Sequence, residues 1–365
     1  MKISIGAKVV DGPYGGGNLF VKNLEKFLES KGHEVFFDLK TNNLDIILLI
    51  NPLKNSTSSS FNHLDIEYYK KFRNNKVKVV HRINECDERK KTSGVNNQLI
   101  NANKVANHTV YVSNWIRELF INLGLSDKKS SVIMSGSNEL IFNISSKNNK
   151  DLNKKFELVT HHWSSNWNKG FEFYKIIDDL LESKKWKEKM NFTYIGNVNN
   201  DMEFKNTKVL NPLNENQLGK ELKKYSGYVT GSINEPSGNH HIEAAQCGLP
   251  ILFLKSGGTP EYCEGFGIEF SRENFLVKLE EFIDKKDALR NRMLNYPFSS
   301  ISMCVEYEKL FLYLINNTED YEFKSSKFFD NIFVSIRYFL YILLKKFKII
   351  KNEFIQKVKL KKNEH

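Results

Sequence analysis

The stretch GSINEPSGNHHIEAAQCGLPILFLKSGGTPEYC, residues 231–263, holds two glutamates eight positions apart, Glu235 and Glu243. On one continuous helix, this spacing would separate the two residues by ~12 Å along the axis. A continuous helix is unfavourable, because Pro236 lacks a backbone N–H and Gly238 loses much conformational freedom in a helix. The pattern therefore predicts Glu235 in a loop and Glu243 on the helix that follows.

The helix that carries Glu243 can be capped at its start by Ser237 or by Asn239. Both carboxylates can then face one cleft. Carboxylates in a cleft without basic neighbours suit the hydroxyl groups of a sugar or a ribose. The alternative is that the glutamates only stabilise a helix dipole, each by about 0.3–1 kcal/mol.

Apolar segments with strand character alternate with helical patterns on both sides of this stretch. Before residue 147, the predicted strands are Ile3–Val10, Glu34–Asp38, Asp45–Ile50, Val77–His81, Thr109–Val112 and Ser131–Met134. After residue 155, they are Phe156–His161, Asn191–Ile195, Lys208–Leu210, Tyr228–Thr230 and Ile251–Leu254. Two rounds of alternation predict an α/β protein with two doubly wound domains, each with a largely parallel sheet.

The polar segment Lys147–Lys155 has no periodicity and marks the predicted domain boundary. We therefore expect an N-terminal domain over residues 1–150 and a C-terminal domain over residues 151–298. Ligands of doubly wound sheets bind beyond the carboxyl ends of the strands. Two facing domains would leave a cleft between those ends.

Three consecutive glycines, Gly15, Gly16 and Gly17, follow the first predicted strand, and Asn18 can cap the helix after them. Bare backbone before a helix N-terminus can direct N–H groups at an anion. The run lacks the G-x-G-x-x-G spacing of dinucleotide sites and the G-K-[S/T] of a P-loop. A plain tight turn explains the glycines equally well.

The E-x7-E motif formed by Glu235 and Glu243, with EAAQCGLPI and GGTPE after it, resembles the donor-binding region of retaining GT-B glycosyltransferases of the large family 4 type. The polysaccharide-assembly branch of that family is the one it resembles. Other segments resemble further landmarks of the family in the same order: HRIN (81–84), VYVSNWIRELF (110–120), VIMSGSNELIF (132–142), HHWSSNWNKGFEFY (161–174) and YPFSSISMCVEYEKLF (296–311). The resemblance implies two Rossmann-like domains that face a cleft, the first for the acceptor and the second for the donor. It also implies a crossover helix over residues 299–320 that returns to the first domain.

The resemblance implies a diphosphate site for a nucleotide-sugar donor. Lys169 would bind the diphosphate, and Gly16 and Gly17 would let backbone amides approach it. The family usually carries an arginine about five residues before this lysine, whereas this chain has no arginine near Ser164. Either Lys169 works with backbone and Asn166, or an arginine such as Arg82 arrives from elsewhere.

The resemblance also implies contacts to the rest of the donor. Glu243 would hold the ribose hydroxyls. Glu235, with Ser237 and Gly238, would hold the transferred sugar. The family often places a polar group of the first domain near the reacting carbon, and His81 would be that group.

Two adjacent histidine pairs, His161 with His162 and His240 with His241, do not have the i, i+4 spacing of a helical zinc site. We interpret them as pocket-lining or structural residues. The chain also has no D-x-D pattern of the kind that holds a metal beside a nucleotide sugar. We therefore predict sugar transfer without a metal and without a cofactor other than the donor substrate.

The net charge of +11 is concentrated at the C-terminus. Residues 324–365 contain 11 Lys/Arg and 3 Asp/Glu, which is a net charge of +8 and leaves +3 for the rest of the chain. A nucleic-acid-binding module, the alternative of another class, would spread its basic residues over the body. The four cysteines form no C-x-x-C pair and indicate free thiols of a cytoplasmic protein.

The C-terminal tail, residues 324–365, has the pattern of a basic amphipathic helix. Its apolar stripe consists of Phe329, Phe333, Ile336, Leu340, Leu343, Phe347, Ile350, Phe354 and Val358. The uncharged run Tyr338–Leu344 is too short to span a bilayer. We predict that the tail binds an anionic membrane surface; the alternative is that the stripe packs against the body.

These patterns together predict a retaining, metal-independent glycosyltransferase. It would move a sugar from a nucleotide-diphosphate donor to a lipid-linked or oligosaccharide acceptor in surface polysaccharide synthesis. Its expected location is cytoplasmic, on the inner face of the plasma membrane. The alternative within the same fold is a soluble enzyme that makes a small sugar or sugar phosphate.

Overall fold

The structure of the protein is a computed structural model, which describes residues 1–10, 16–53, 56–144, 155–317 and 334–346. The expected domain boundary at residues 150 and 151 lies outside the described residues, so the limits of the two domains remain a prediction. The predicted tail before residue 334 and after residue 346 also lies outside the described residues.

The first sheet has six parallel strands in the spatial order β2-β1-β3-β4-β5-β6. The strands are β1 (Lys2–Ile5), β2 (Glu34–Phe36), β3 (Ile46–Ile50), β4 (Lys78–Ile83), β5 (His108–Tyr111) and β6 (Ser130–Val132). The helices of this half are α1 (Gly16–Ser30), α2 (His63–Phe72), α3 (Asp87–Lys90), α4 (Val95–Asn103) and α5 (Asn114–Asn122). All five residues of β3 and all six of β4 are buried, as expected for the central strands of a parallel sheet with both faces covered.

The second sheet also has six parallel strands, in the order β12-β11-β10-β7-β8-β9. The strands are β7 (Phe156–His162), β8 (Met190–Gly196), β9 (Lys208–Leu210), β10 (Gly227–Thr230), β11 (Ile251–Leu254) and β12 (Gly267–Phe270). The helices are α6 (Phe171–Leu180), α7 (Lys184–Lys189), α8 (Glu215–Leu222), α9 (Asn239–Gln246), α10 (Thr259–Cys263), α11 (Phe275–Asp284) and α12 (Lys286–Arg292). Short 3₁₀ helices occur at Trp167–Lys169 and Met293–Asn295.

Each sheet reverses its strand order once, between β1 and β3 in the first sheet and between β7 and β10 in the second. At such a reversal, the loops after the two neighbouring strands diverge and leave a crevice where ligands bind. The two doubly wound α/β domains predicted from the sequence are confirmed. The strand β12 is not among the strands that the sequence predicts.

The chain returns to the first sheet through α13 (Ser300–Asn316). Its buried face, which includes Tyr307 and Phe311, joins the hydrophobic core formed by β1, β3 and α1. The rings of Tyr307 and Phe20 lie 5.3 Å apart between their centroids. Packing of this kind ties the end of the second half to the first half of the chain.

Two expected helix caps differ from the structure. Asn18 lies inside α1, where its side chain exchanges two hydrogen bonds with the backbone of Val10 instead of capping the helix. Gly238 is the N-cap of α9, and no side chain caps this helix, so the predicted cap by Ser237 or Asn239 is wrong. Ser237 is occupied elsewhere, because its hydroxyl lies 2.8 Å from that of Ser135 in the first half of the chain.

Residues 334–346, called the tail helix below, form a helix that rests on α2. Tyr338 stacks on Tyr68 with the ring centroids 4.3 Å apart, and the Tyr341 hydroxyl donates to Asp65 Oδ2 at 3.3 Å. Arg337 forms an ion pair with Glu67. The contacts to the body are thus made by tyrosines and an arginine.

Five apolar side chains of the tail helix are exposed: Ile336, Phe339, Leu340, Leu343 and Leu344. Val334 and Ile342 are half-buried. Three of the five exposed side chains belong to the stripe predicted from the sequence. The other members of the stripe lie outside the described residues. In the described part of the chain, no helix combines the length and the apolar character needed to cross a bilayer.

Candidate functional site

A cavity of about 480 Å³ lies between the two halves of the chain, a volume suited to a small-molecule ligand. The first half contributes Gly16, Gly17, Leu19, Lys22, Arg82, Asn84 and Arg89 to its wall. The second half contributes residues from the ends of β7 and β8, from the loops after β7, β9 and β10, and from α8 and α9, among them His161, Trp163, Lys169, Glu215, Glu235, Ser237, Gly238 and Glu243. The loops after β7 and β10 flank the reversal of the second sheet, so the cavity lies where the topology predicts a ligand.

A buried ion pair between Lys169 and Glu235 is part of the cavity wall. Lys169 ends the 3₁₀ helix after β7, and Glu235 lies in the loop after β10. Burial lowers the pKa of Lys169, although the charge of Glu235 opposes this effect. Burial alone would raise the pKa of Glu235, but the charges of Arg89 and Lys169 outweigh it and lower the pKa to about 2. The Glu235 carboxylate is therefore charged at neutral pH.

Arg89 reaches this ion pair from α3 in the first half of the chain. Its Nε lies 3.0 Å from Glu235 Oε1, and its Nη1 donates to Glu85 Oε2 at 3.0 Å. Burial lowers the pKa of Arg89, but the charges of Glu235 and Glu85 outweigh that and raise it. The carboxylate of Glu235 thus has one cation at each oxygen.

Glu243 lines the cavity from the middle of α9. His161, near the end of β7, has its Nε2 2.8 Å from Glu243 Oε2. The loop before α9 lets Glu235 and Glu243 line the same cavity, although they are eight residues apart in the chain. The loop position of Glu235 and the helix position of Glu243 agree with the expectation from the E-x7-E spacing, but the expected absence of basic neighbours is wrong for Glu235, which pairs with Arg89 and Lys169.

Gly16 and Gly17 bring the start of α1 to the opposite wall. A Cβ atom on Gly16 would come within 2.6 Å of the Asn239 side chain in the second half, so a larger residue here would require that side chain to move. A Cβ on Gly17 would meet no atom within 4 Å, so the space beside this residue is open. Gly15 lies outside the described residues.

Gly238 and Ser237 bring the loop before α9 to the cavity wall on the side of the second half. A Cβ atom on Gly238 would come within 2.5 Å of the His240 ring and 2.7 Å of the His241 ring. Only glycine therefore fits beside these two histidines.

His81 is the predicted site residue that the structure does not bring to the cavity. Its side chain is fully buried in β4, and Asn103 Nδ2 lies 3.0 Å from its Nδ1. Burial lowers its pKa to about 3, so the imidazole is neutral. Because successive residues of a strand face opposite sides of the sheet, the cavity receives the next residue, Arg82.

The imidazole rings of the two adjacent histidine pairs pack against one another beside the cavity. The centroids of His162 and His240 lie 4.6 Å apart, and those of His240 and His241 lie 4.9 Å apart. Burial lowers the pKa of His241 to about 3. In the described ranges, no group of three or more His, Cys, Asp or Glu side chains is arranged to hold a metal ion.

Several solved structures of glycosyltransferases are similar to this chain. Sucrose-phosphate synthase from Thermosynechococcus elongatus matches with 13% identity and a TM-score of 0.59 over 87% of this chain and 100% of that one. Anabaena HepE in complex with UDP-glucose matches with 13% identity and a TM-score of 0.61 over 86% and 100% of the two chains. The lipopolysaccharide outer core galactosyltransferase WaaB matches with 12% identity and a TM-score of 0.58 over 86% and 99%. No family model and no curated protein sequence matches the chain.

The chain has the GT-B fold. At 12–13% identity, the similarity establishes the arrangement of the two domains and leaves the activity to the site itself. In GT-B terms, the cavity is the cleft between the N-terminal and C-terminal domains, and Lys169, Glu235 and Glu243 lie on its C-terminal side.

Arg89 and Glu215 are among the groups in the GT-B cleft that sequence reasoning missed. Arg89 follows the end of β4, where ligand-binding loops of a parallel sheet are expected, and this position was the available signal. Glu215 opens α8, and its pKa is raised by burial and by the charge of Glu243. Neither residue belongs to a sequence motif. The contacts of each residue form only in the folded domains, so the sequence does not reveal them.

Proposed function

We propose that the protein is a retaining, metal-independent glycosyltransferase that uses a nucleotide-diphosphate sugar. One observation carries the proposal: Lys169, Glu235 and Glu243 line a single cavity at the strand-order reversal of the second sheet, with Gly16 and Gly17 facing them. Cations and backbone amides suit a diphosphate, and carboxylates suit sugar hydroxyls.

In the proposed reaction, the bond between the sugar C1 and the β-phosphate oxygen breaks, and its electron pair stays on the phosphate. The acceptor hydroxyl oxygen forms the new bond to C1 on the same face, and its proton passes to the leaving phosphate. The ammonium group of Lys169, which lines the cavity, would stabilise the charge that develops on the diphosphate. Burial of Lys169 strengthens this effect, because charges interact more strongly away from water.

The individual residues would divide the donor between them. Glu243, aligned by His161, would accept hydrogen bonds from the ribose hydroxyls. Glu235, with Ser237 and Gly238, would hold the transferred sugar. His81 has no part in this proposal, because the structure does not place it in the cavity wall.

For the acceptor, we propose a lipid-linked saccharide at the inner face of the plasma membrane, in the synthesis of a surface polysaccharide. The support is the tail helix, whose outer face exposes Phe339 and Leu344 next to Lys345 and Lys346. Such a face suits the boundary of an anionic membrane. Among the structural neighbours, WaaB is described as a lipopolysaccharide outer core galactosyltransferase.

The HepE complex with UDP-glucose makes UDP-hexoses the first donors to test. We would add UDP-glucose, UDP-galactose, GDP-mannose, ADP-glucose and a dTDP-sugar separately to the purified protein and measure the melting temperature and the slow release of nucleotide by hydrolysis. Binding raises the melting temperature in proportion to the logarithm of ligand concentration over Kd. We expect at least one donor to do both. Absence of any shift and of any hydrolysis across the panel, with a folded protein, would contradict the proposed function.

A further inference from the structure

The site of the proposed donor diphosphate has one cation in the second domain, Lys169. The preceding loop carries Ser164, Ser165 and Asn166 and no arginine. The Asn166 side chain is used locally, because its Oδ1 accepts the backbone N–H of Asn168 and caps the 3₁₀ helix. A diphosphate that leaves with an additional negative charge would therefore meet few positive groups within that domain.

Arg89 of the first domain lies at the place where a second cation is needed. It lines the same cavity as Lys169, and the two cations bind the two oxygens of the same carboxylate, Glu235. The Arg89 Nε is near Glu235 Oε1 in distance but is not aligned for a hydrogen bond, and no other acceptor among the described residues takes its N–H. One donor of the guanidinium is thus unused.

The segment that carries Arg89 is fastened to the donor loops of the second domain. Asn168 Nδ2 donates to the Arg89 carbonyl at 3.1 Å, and Asn234 Nδ2 donates to the Glu88 carbonyl at 3.3 Å. Within its own domain, Glu85 binds both Arg89 and Lys90. The guanidinium therefore depends on the docking of α3 on the second domain, and separation of the domains would remove it from the site.

The other arginine of the cavity wall, Arg82, is placed less well for a diphosphate. Its guanidinium carbon lies 4.1 Å from the ring centroid of Phe20, and its Nη2 donates to Ser135 Oγ at 3.4 Å. Only 4% of the residue is exposed. Arg82 also has two buried donors without a hydrogen-bond partner among the described residues, Nε and Nη1, but its guanidinium lies against Phe20, whereas that of Arg89 pairs with Glu235.

We propose that Arg89 is the second cation of the donor site and that it binds the leaving diphosphate across the domain interface. This inference rests on the proposed function. Glu235 pairs with both Arg89 and Lys169. When the donor binds, its diphosphate takes over the two cations, and Glu235 turns to the sugar hydroxyls. Arg89 keeps its proton throughout; it stabilises the charge left on the diphosphate when the C1–oxygen bond breaks.

The test compares Arg89→Ala and Arg89→Lys with the matched control Lys90→Ala in the full chain. Lys90 is the neighbouring residue, also pairs with Glu85, and is not part of the cavity wall. Calorimetry would measure binding of UDP, UMP and uridine, or of the corresponding series for whichever nucleotide stabilises the wild type in the donor panel. Turnover of the donor would be measured in parallel.

We expect Arg89→Ala to weaken nucleoside diphosphate binding about 10-fold or more and to leave the nucleoside unchanged, since a hydrogen bond to a charged group contributes about 1.5–3 kcal/mol. Turnover should fall ~10²-fold, as after removal of one donor at a developing anion. Arg89→Lys should recover part of both, and Lys90→Ala should match the wild type. Equal weakening of diphosphate and nucleoside, or no weakening, would overturn the role of Arg89 and leave the proposed function standing. A wild-type protein that binds no nucleoside diphosphate would overturn the proposed function itself, and the role of Arg89 with it.

Discussion

His161 Nε2 lies 2.8 Å from Glu243 Oε2, so the last strand residues of β7 align a carboxylate that belongs to α9. The two residues are 82 positions apart in the chain and meet only because β7 and β10 are neighbours in the second sheet. A histidine N–H on one oxygen leaves the other oxygen of Glu243 for a ligand. The expected ligand is the ribose of the donor.

This arrangement predicts different effects for the two carboxylates of the cavity. Glu243→Gln should weaken binding of the free nucleoside diphosphate and of the donor alike, because both contain the ribose. Glu235→Gln should weaken the donor more than the free nucleoside diphosphate, because it would contact the sugar. Calorimetry with both ligands separates these effects, and equal losses for both variants with both ligands would contradict this division.

Lys169→Ala should reduce turnover by ~10²-fold or more, because it removes a cation from the developing negative charge. The matched control is Lys175→Ala on α6, since Lys175 is exposed and forms an ion pair with Asp179 on the same helix. Steady-state kinetics and circular dichroism would be measured for both. Near wild-type turnover in a folded Lys169→Ala variant would mean that the phosphate site lies elsewhere.

The order of the secondary structure could be predicted from the sequence because it depends on local patterns. The buried run Ile46–Ile50 is apolar at every position, and this composition is sufficient to indicate a central parallel strand. The strand Gly267–Phe270 was missed because it is short and begins with glycine. A Cβ at Gly267 would come within 1.8 Å of the Ile251 carbonyl oxygen, so the glycine is there for a close contact that only the paired strands reveal.

The site could be predicted only where a motif carries it. Glu235 and Glu243 are recognisable by their spacing and Lys169 by the family resemblance, and the structure brings all three to one cavity. Arg89 could not be identified, because its role depends on the docking of the first domain on the loop after β10. His81 was expected in the cavity and is buried in β4, since a shift of one residue along a strand changes the face.

We predict that sugar transfer survives an excess of EDTA. The reason is that Lys169 and the neighbouring backbone can neutralise the diphosphate without a metal. The measurement is initial rate with the identified donor after dialysis against EDTA, with and without added Mg²⁺ or Mn²⁺. Loss of activity with EDTA and its recovery with either ion would refute this prediction.

Stability should decrease as the pH falls below about 6.5, because several histidines are held neutral by burial. The pKa of His108 is lowered to about 4, and that of His241 is lowered to about 3. The unfolded chain takes up protons at these residues near their ordinary pKa of about 6.5, whereas the folded chain does not. The stability contributed by the neutral histidines is therefore present above about pH 6.5 and is lost progressively toward pH 4.

His108 is outside the cavity and offers a clean test of this effect. Each such residue contributes a slope of at most about 1.4 kcal/mol per pH unit. His108→Gln should therefore lose less stability than the wild type between pH 6 and pH 4.5. Urea unfolding at several pH values gives the comparison, and identical slopes in the two proteins would contradict the assignment.

The tail helix predicts membrane binding through its outer face. Tyr338 and Tyr341 contact α2, so the side chains left exposed include Phe339, Leu340 and Leu344. Burial of such side chains in a bilayer contributes about 1.5–3 kcal/mol for each large apolar residue, and each nearby Lys or Arg adds about 1 kcal/mol on an anionic surface. We expect the full chain to sediment with vesicles that contain an anionic lipid, and to do so less in high salt.

Two variants distinguish binding through the tail helix from non-specific binding of the protein to vesicles. Leu344→Asp should reduce sedimentation with anionic vesicles, whereas Leu294→Asp should not, although the two leucines are 69% and 70% exposed. A chain that ends at Asp320 should keep nucleotide binding and lose sedimentation. If the shortened chain sediments as well as the full chain at low and high salt, the tail is not the membrane anchor. The proposal of a lipid-linked acceptor would then lose its structural support, and a soluble enzyme that acts on a small sugar would be favoured.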